Sequence, residues 1–224
     1  MDFTTPADPR PSDVVWPAMI WPVPAQTVLQ GEVVELRPSV HDDAAGLFEA
    51  LDASEVWSHV RGRPTSVAAW EERIASDADD PTLQRFTVRR RELVGGAASS
   101  EIVGSTCFLD TSVIDARTEI GSTTYSPSVW GSLVNPETKL LLLEFAFDML
   151  ACGRVQLKTD IRNQRSQRAI DRLGASYEGV LRRHMRREDG SVRDTILFSV
   201  TADDWPEVRA GLLSRLSASG TRPR

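Results

Sequence analysis

A loop and three side chains in this sequence have the types and settings that anion binding and proton transfer require. The loop Trp130-Gly131-Ser132-Leu133-Val134-Asn135 lies between a strand-like run and the strongly apolar stretch PETKLLLLEFAFDMLA. Pro136 suits the first position of a helix and Asn135 its N-cap. The free N–H groups at such a helix start, with the helix dipole behind them, favour a phosphate or pyrophosphate. The plainer alternative is a capped core helix. A second helix start follows one strand later, at Asn163. Glu119 stands in RTEIGSTTYS, a strand-like run otherwise poor in charge, where a glutamate is unusual. Ser166 opens the helix after Asn163, where a first-turn serine can also simply bond its own backbone. His184 lies in RRHMRR, and an imidazole, with an ordinary pKa of roughly 6.5, is suited to moving protons near neutrality. That same run reads equally as a solvated basic strand, or as a patch of guanidinium forks that draws phosphates or an acidic substrate.

Other chemistry is disfavoured. Cys107 and Cys152 are only two, far apart, and neither opens a helix beside a base, which argues against a disulfide framework, a zinc site and a thiol nucleophile. His41, His59 and His184 lack metal-ligand spacing, so the expected protein is metal-free. The net charge of −6 argues against a general nucleic-acid binder. No stretch approaches the roughly 20 apolar residues that span a membrane. The N-terminus lacks a basic start followed by an apolar segment, so no signal peptide is expected, and the expected location is the cytoplasm.

Periodicity supplies the elements that must position these residues. Strands are expected at 32–38, 85–91, 101–110, 117–126 and 154–160, with a flexible hairpin loop over LVGGAASS and a strand pair around the turn Asp189-Gly190. Helices are expected at 40–53, 66–78 with Ser66 as N-cap, 136–151, 163–174 ending at Gly174, and 202–216. The helix from Pro136 shows only a narrow polar stripe, Lys139, Glu144 and Asp148, and so belongs in the core. At 224 residues, 41% hydrophobic and 26% charged, the chain suits one mixed-sheet α/β domain with helices on its faces. The expected organisation is a Pro-rich arm over 1–27, a domain over 28–204, and a C-terminal helix and tail over 205–224. Trp16, Met19, Ile20 and Trp21 make the arm too apolar for a solvated tail, so it should pack on the domain or on a partner subunit.

Several motifs, in order, carry a resemblance. They are Glu119-Ile120-Gly121; Pro127 with Trp130-Gly131; Asn135, Glu137 and Lys139 with Ala146-Phe147; Thr159-Asp160; Asn163, Arg165, Ser166 and Ala169; and Glu178-Gly179 with Leu181-Arg182 and His184. Over roughly 28–204 the chain resembles the Gcn5-related N-acetyltransferase (GNAT) family in its RimJ/RimL-like branch. The resemblance implies the GNAT fold, a mostly antiparallel twisted sheet with one splayed parallel pair. It implies an acetyl-CoA-dependent N-acetyltransferase acting on a primary amine of a protein N-terminus, a lysine or a small molecule. Transfer would be direct, in a ternary complex.

By that resemblance Trp130, Gly131, Ser132, Leu133, Val134 and Asn135 hold the pyrophosphate of acetyl-CoA. Asn163 contacts its arm, which lies between the strands at 119–126 and 154–160. Ser166 is the expected proton donor to the leaving thiolate, because Ile170 stands where many members have a tyrosine. Glu119 and His184 compete for the role of base. Trp57, His59 and Trp70 are the expected lining of the acceptor pocket, with a place among the core aromatics as the alternative. A homodimer is compatible with the apolar arm. The rival from another class, a GNAT-like fold that binds acyl-CoA without turnover, turns on Ile170 and on Leu133, where the family has a second glycine.

Overall fold

The computed structural model describes residues 4, 5, 7, 8, 15–94 and 97–220. An eight-stranded sheet runs in the order β1-β2-β3-β4-β5-β6-β8-β7. Its strands are β1 (Leu29–Gln30), β2 (Val34–Pro38), β3 (Gln84–Val94), β4 (Ala97–Ser112), β5 (Arg117–Tyr125), β6 (Arg154–Asp160), β7 (Ser176–Arg186) and β8 (Val192–Thr201). Every neighbouring pair is antiparallel except β5–β6. The helices are α1 (Ala44–Leu51), α2 (Val67–Ala78), α3 (Val134–Glu144), α4 (Gln164–Asp171) and α5 (Trp205–Gly220).

Local chemistry explains the helix ends. The Ser66 hydroxyl accepts the Ala69 N–H at 3.1 Å and starts α2. The Asn163 side chain does the same for Ser166 N–H at 3.0 Å and starts α4. Past α4 the chain turns through Gly174 at φ +90°, a conformation glycine adopts without strain. The α3 helix widens into a π-helical turn over Phe145–Met149 before it ends.

Two clusters bury the apolar residues. On one side of the sheet, α3 and α5 pack Leu142, Leu143, Trp205 and Leu212 against Phe86, Phe108, Val155 and Leu157. A second cluster joins α1 and α2 through Leu47, Leu51, Trp57, Trp70 and Ile74. The N-terminal arm packs on this body. Met19 and Val23 are buried, Trp21 Nε1 donates to Pro81 O at 2.7 Å, and Ile20 N–H donates to Leu150 O at 2.8 Å.

The expected elements are all present, with three differences. The sequence LVGGAASS is not an extended loop: β3 and β4 pair as far as Val94 opposite Ala97, which leaves only Gly95-Gly96, outside the described residues. The α3 helix begins at Val134 with Leu133 as N-cap, so Asn135 and Pro136 lie inside its first turn. Proline is tolerated throughout a first turn because those N–H groups have no partner within the helix. Lys139 is not on a solvent stripe but buried, as discussed below.

Candidate active site

The sheet opens where its only parallel pair parts. β5 and β6 share three registered pairs, Arg117–Arg154, Thr118–Val155 and Glu119–Gln156, and then diverge. On its other edge β5 carries an irregularity: pairing with β4 shifts between Ser105 and Cys107, and Ser122 takes a left-handed φ of +47°. Each diverging strand leads towards the start of a helix, β5 towards α3 and β6 towards α4. At the start of α3 the backbone N–H groups of Gly131, Leu133 and Asn135 have no hydrogen-bond partner among the described residues. Gly131 has φ +77°, and a Cβ there would meet nothing within 4 Å, so the loop is open to a ligand. Leu133 has φ −76° and ψ −7°, an ordinary helical conformation that does not need glycine.

Trp130 and Arg165 join the two helix starts. The Arg165 guanidinium stacks 3.7 Å from the centroid of the Trp130 ring, and Trp130 Nε1 donates to Tyr125 O at 3.0 Å.

A polar sheet face continues from the opening. In RVQLKTD, alternate residues Gln156, Lys158 and Asp160 share one side, while Val155, Leu157 and Thr159 face the α3–α5 core. The register places Glu119 beside Gln156 and Thr195 beside Asp160. Lys158 Nζ lies 2.7 Å from Glu119 Oε2, and both side chains are largely buried. Burial pushes the Glu119 carboxyl above the usual carboxylate range, and the Lys158 ammonium works against that rise. Gly121, two residues along the strand, leaves the space this carboxylate fills, since a Cβ there would come 2.8 Å from Glu119 Oε1.

Asp160 accepts from Arg187 Nε at 2.6 Å and Nη2 at 2.7 Å. Burial opposes ionisation of Asp160, but the Arg187 hydrogen bonds and the Arg162 N–H outweigh it and hold the carboxyl below its ordinary range. Arg193 Nε donates to Thr195 Oγ1 at 3.1 Å, and the same hydroxyl lies 3.1 Å from His184 Nδ1. Thr195 is fully buried. Because Arg193 can only donate, the Thr195 O–H must donate to His184 Nδ1 to be satisfied. His184 then carries its proton on Nε2. Burial, then Lys158 and Arg193, push its pKa down. Burial likewise pushes His59 down, where it stands among Asp160, Arg165, Arg187 and Arg193.

Residues 34–176 match the family model for the acetyltransferase (GNAT) domain. The chain belongs to the GNAT family of acetyltransferases. A candidate acetyltransferase from T. thermophilus is 32% identical with a TM-score of 0.76, over 88% of this chain and 100% of that one. A GCN5-related N-acetyltransferase from Brucella melitensis is 24% identical with a TM-score of 0.77, covering 89% and 88%. Mycobacterium smegmatis RimJ in complex with CoA-disulfide is 21% identical with a TM-score of 0.69, covering 84% and 91%, and at that distance shows the fold. A search of curated proteins found no match.

The GNAT family uses acetyl-CoA, and this chain's residues fit that donor. Three unpartnered N–H groups and an open Gly131 suit the pyrophosphate, while the diverging edges of β5 and β6 leave backbone groups for an extended arm. The acceptor lining read from sequence divides. His59 stands at the cleft. Trp57 and Trp70 are 8% and 1% exposed, with ring centroids 6.1 Å apart, and the Trp57 Nε1 donates to Leu51 O. The two tryptophans brace the wall from behind. Lys158 and Asp160, the latter quoted only as part of a motif, were given no role from the sequence, and Arg187 and Arg193 were missed. The period-two polarity of 156–160 was a signal for the first two, because it marks a solvent-side face on a strand whose other face is apolar.

Proposed function

We propose that this GNAT protein is a RimJ/RimL-like N-acetyltransferase that moves the acetyl group of acetyl-CoA directly to a primary amine. The observation that carries this reading is the parting of β5 and β6 after three pairs, flanked by two helix N-termini and floored by a polar face holding Glu119. The donor supplies an activated thioester. The loop 130–135 and Asn163 bind and orient it, and β5 N–H groups beyond Glu119 stabilise charge on the reacting carbonyl oxygen. Glu119, through water, takes the proton the amine loses as the C–N bond forms. Ser166 passes a proton to sulfur as the C–S bond breaks, so the net proton moves from nitrogen to sulfur. The hydrogen bonds favour Glu119 over His184 as base, because His184 already accepts on Nδ1 and presents a donor at Nε2.

Thiol release from acetyl-CoA across an amine panel tests the reading, and no release with any amine would sink it. Ser166→Ala should lower kcat on the order of 100-fold with little change in the KM for acetyl-CoA. An unchanged kcat removes Ser166 from the mechanism. Arg165→Ala should weaken acetyl-CoA binding by about three- to tenfold, on the order of 1 kcal/mol, by loosening the stack that ties the starts of α3 and α4 together. Calorimetry reads this directly. Arg165 is exposed, so thermal stability should barely move.

A further inference from the structure

The cleft holds a cation that its own carboxylates leave over. Lys158 is committed to Glu119 and Arg187 to Asp160. Arg193, about half buried on the same face, makes no ion pair among the described residues; its one hydrogen bond is from Nε to a hydroxyl. Asp160 and Glu119, each already paired with another cation, favour its charge from a distance, Arg61 and Arg187 oppose it, and Arg61 Nη1 donates to a carbonyl, Arg186 O, at 3.3 Å. Keeping a guanidinium out of water with no carboxylate in direct contact is costly, and a planar fork whose Nη groups make no hydrogen bond among the described residues matches a carboxylate. Through Thr195 the same arginine holds His184 as an Nε2–H donor, so two donors belong to one hydrogen-bonded unit. His184 opens onto a groove of about 740 Å³ lined also by Val180, Leu181, Arg182, Arg183 and Asp194.

We propose that the acceptor carries a carboxylate near its amine, and that Arg193, with the His184 Nε2–H and Arg61 in support, binds that carboxylate. The inference rests on the amine-acetylation reading above. The charges serve both ends of such an acceptor. The carboxylate meets a donor with no other carboxylate in direct contact, while an ammonium approaching Lys158 and Arg193 is discouraged and loses its proton more readily, which the attack on a thioester needs. Two sources supply this chemistry, the α-carboxylate of a free amino acid and an acidic side chain near a polypeptide N-terminus.

Two matched pairs separate the sources: serine against serinamide, and the amidated peptides Ser-Glu-Ala-Ala and Ser-Gln-Ala-Ala. In one pair, kcat/KM should favour the carboxylate by on the order of 10- to 100-fold, as for a polar site left unpaired by the wrong analogue. Arg193→Gln should abolish that preference, bringing the ratio of the two rates to within about twofold of one. Equal rates within both pairs, or an equal loss on both members in Arg193→Gln, would overturn the proposal. A second readout needs no turnover: the ¹⁵N resonances of the His184 ring, followed as N-acetylserine or N-acetylserinamide is added with CoA. A shift caused only by the carboxylate, lost in Arg193→Gln, supports the anion site even where no thiol is released. That combination would instead sink the amine-transfer reading. Turnover without any such preference leaves that reading standing and removes this one.

Discussion

Glu137→Gln should lower the unfolding free energy by about 2–4 kcal/mol, read by urea denaturation at neutral pH. The Glu137 carboxylate in the first turn of α3 accepts three backbone N–H groups across the fold: Glu32 at 3.0 Å, Val33 at 2.7 Å and Val34 at 2.7 Å. It is buried, so no water replaces a lost acceptor. Glutamine keeps the shape but turns one acceptor oxygen into an NH₂ that faces other donors. The charge at a helix N-terminus is also lost. Gly31→Ala should fail for the same reason, because its Cβ would sit 2.4 Å from Glu137 Cδ. The two substitutions damage one contact, so their combined cost should fall well short of their sum. Because this contact ties the start of β2 to the start of α3, Glu137→Gln should also weaken acetyl-CoA binding. A loss below about 0.5 kcal/mol, the scale of ordinary surface changes, would refute the bracing role.

Sequence periodicity reached the elements because their signals are local. Ser66 and Asn163 announced their helices through caps, and the alternation of RVQLKTD announced β6 with both its ends. The start of α3 was misplaced because proline's preference for the first helical position is a statistical tendency, and Leu133-Val134 already adopts helical geometry. The pairing of Leu93 and Val94 with Ala98 and Ala97 was hidden because glycines read as a loop, whereas a long antiparallel partner extended the ladder up to them.

The candidate site was legible as a set of motifs but not as a set of roles. Glu119, Ser166, His184 and the 130–135 loop could be singled out by type and position. Which of them act together depends on register between strands distant in sequence, such as Thr195 opposite Asp160 and Glu119 beside Gln156. The Arg193–Thr195–His184 chain, which assigns the His184 proton, therefore had no sequence signal beyond a basic run. Trp57 and Trp70 were ambiguous between lining and core because aromatic residues at such spacing serve both, and packing against Leu47 and Ile74 decides it. Lys139 was read only as part of a polar stripe on a core helix, and its own burial had no signal for a related reason. On a helix apolar nearly all round, one polar residue looks like the solvent side until the neighbouring strand is in place.

Lys139→Met should stabilise the protein at pH 7 by about 3–5 kcal/mol, a gain that shrinks by about 2 kcal/mol between pH 7 and 9. The Lys139 ammonium is buried, and among the described residues Thr123 Oγ1 at 2.8 Å is its one hydrogen-bond partner and no carboxylate pairs with it. Burial therefore drives its pKa down to about 7. In the unfolded chain a lysine keeps its proton to roughly pH 10.4. Between these values the unfolded state binds one more proton than the folded state, so wild-type stability should rise with pH by up to about 1.4 kcal/mol per unit. Over pH 7 to 9 the lysine's share of this change amounts to about 2 kcal/mol. From about pH 8 upward the buried thiols act in the opposite sense. Burial raises Cys107 to about 11 and Cys152 to about 12, so both ionise earlier in the unfolded chain and stability falls. Both thiols remain in Lys139→Met, so the difference between the wild-type and variant profiles isolates the lysine. Thr123 also hydrogen-bonds Thr106 at 2.8 Å, next to the left-handed Ser122 on β5. The amine therefore pins the irregular edge beside the donor cleft, and its retention at this energetic cost is consistent with a positional task there. Lys139→Met should accordingly be more stable yet slower, with a lower kcat. A stability difference between variant and wild type that stays the same from pH 7 to 9 would refute the assigned burial, and an unchanged kcat would leave Lys139 without that task.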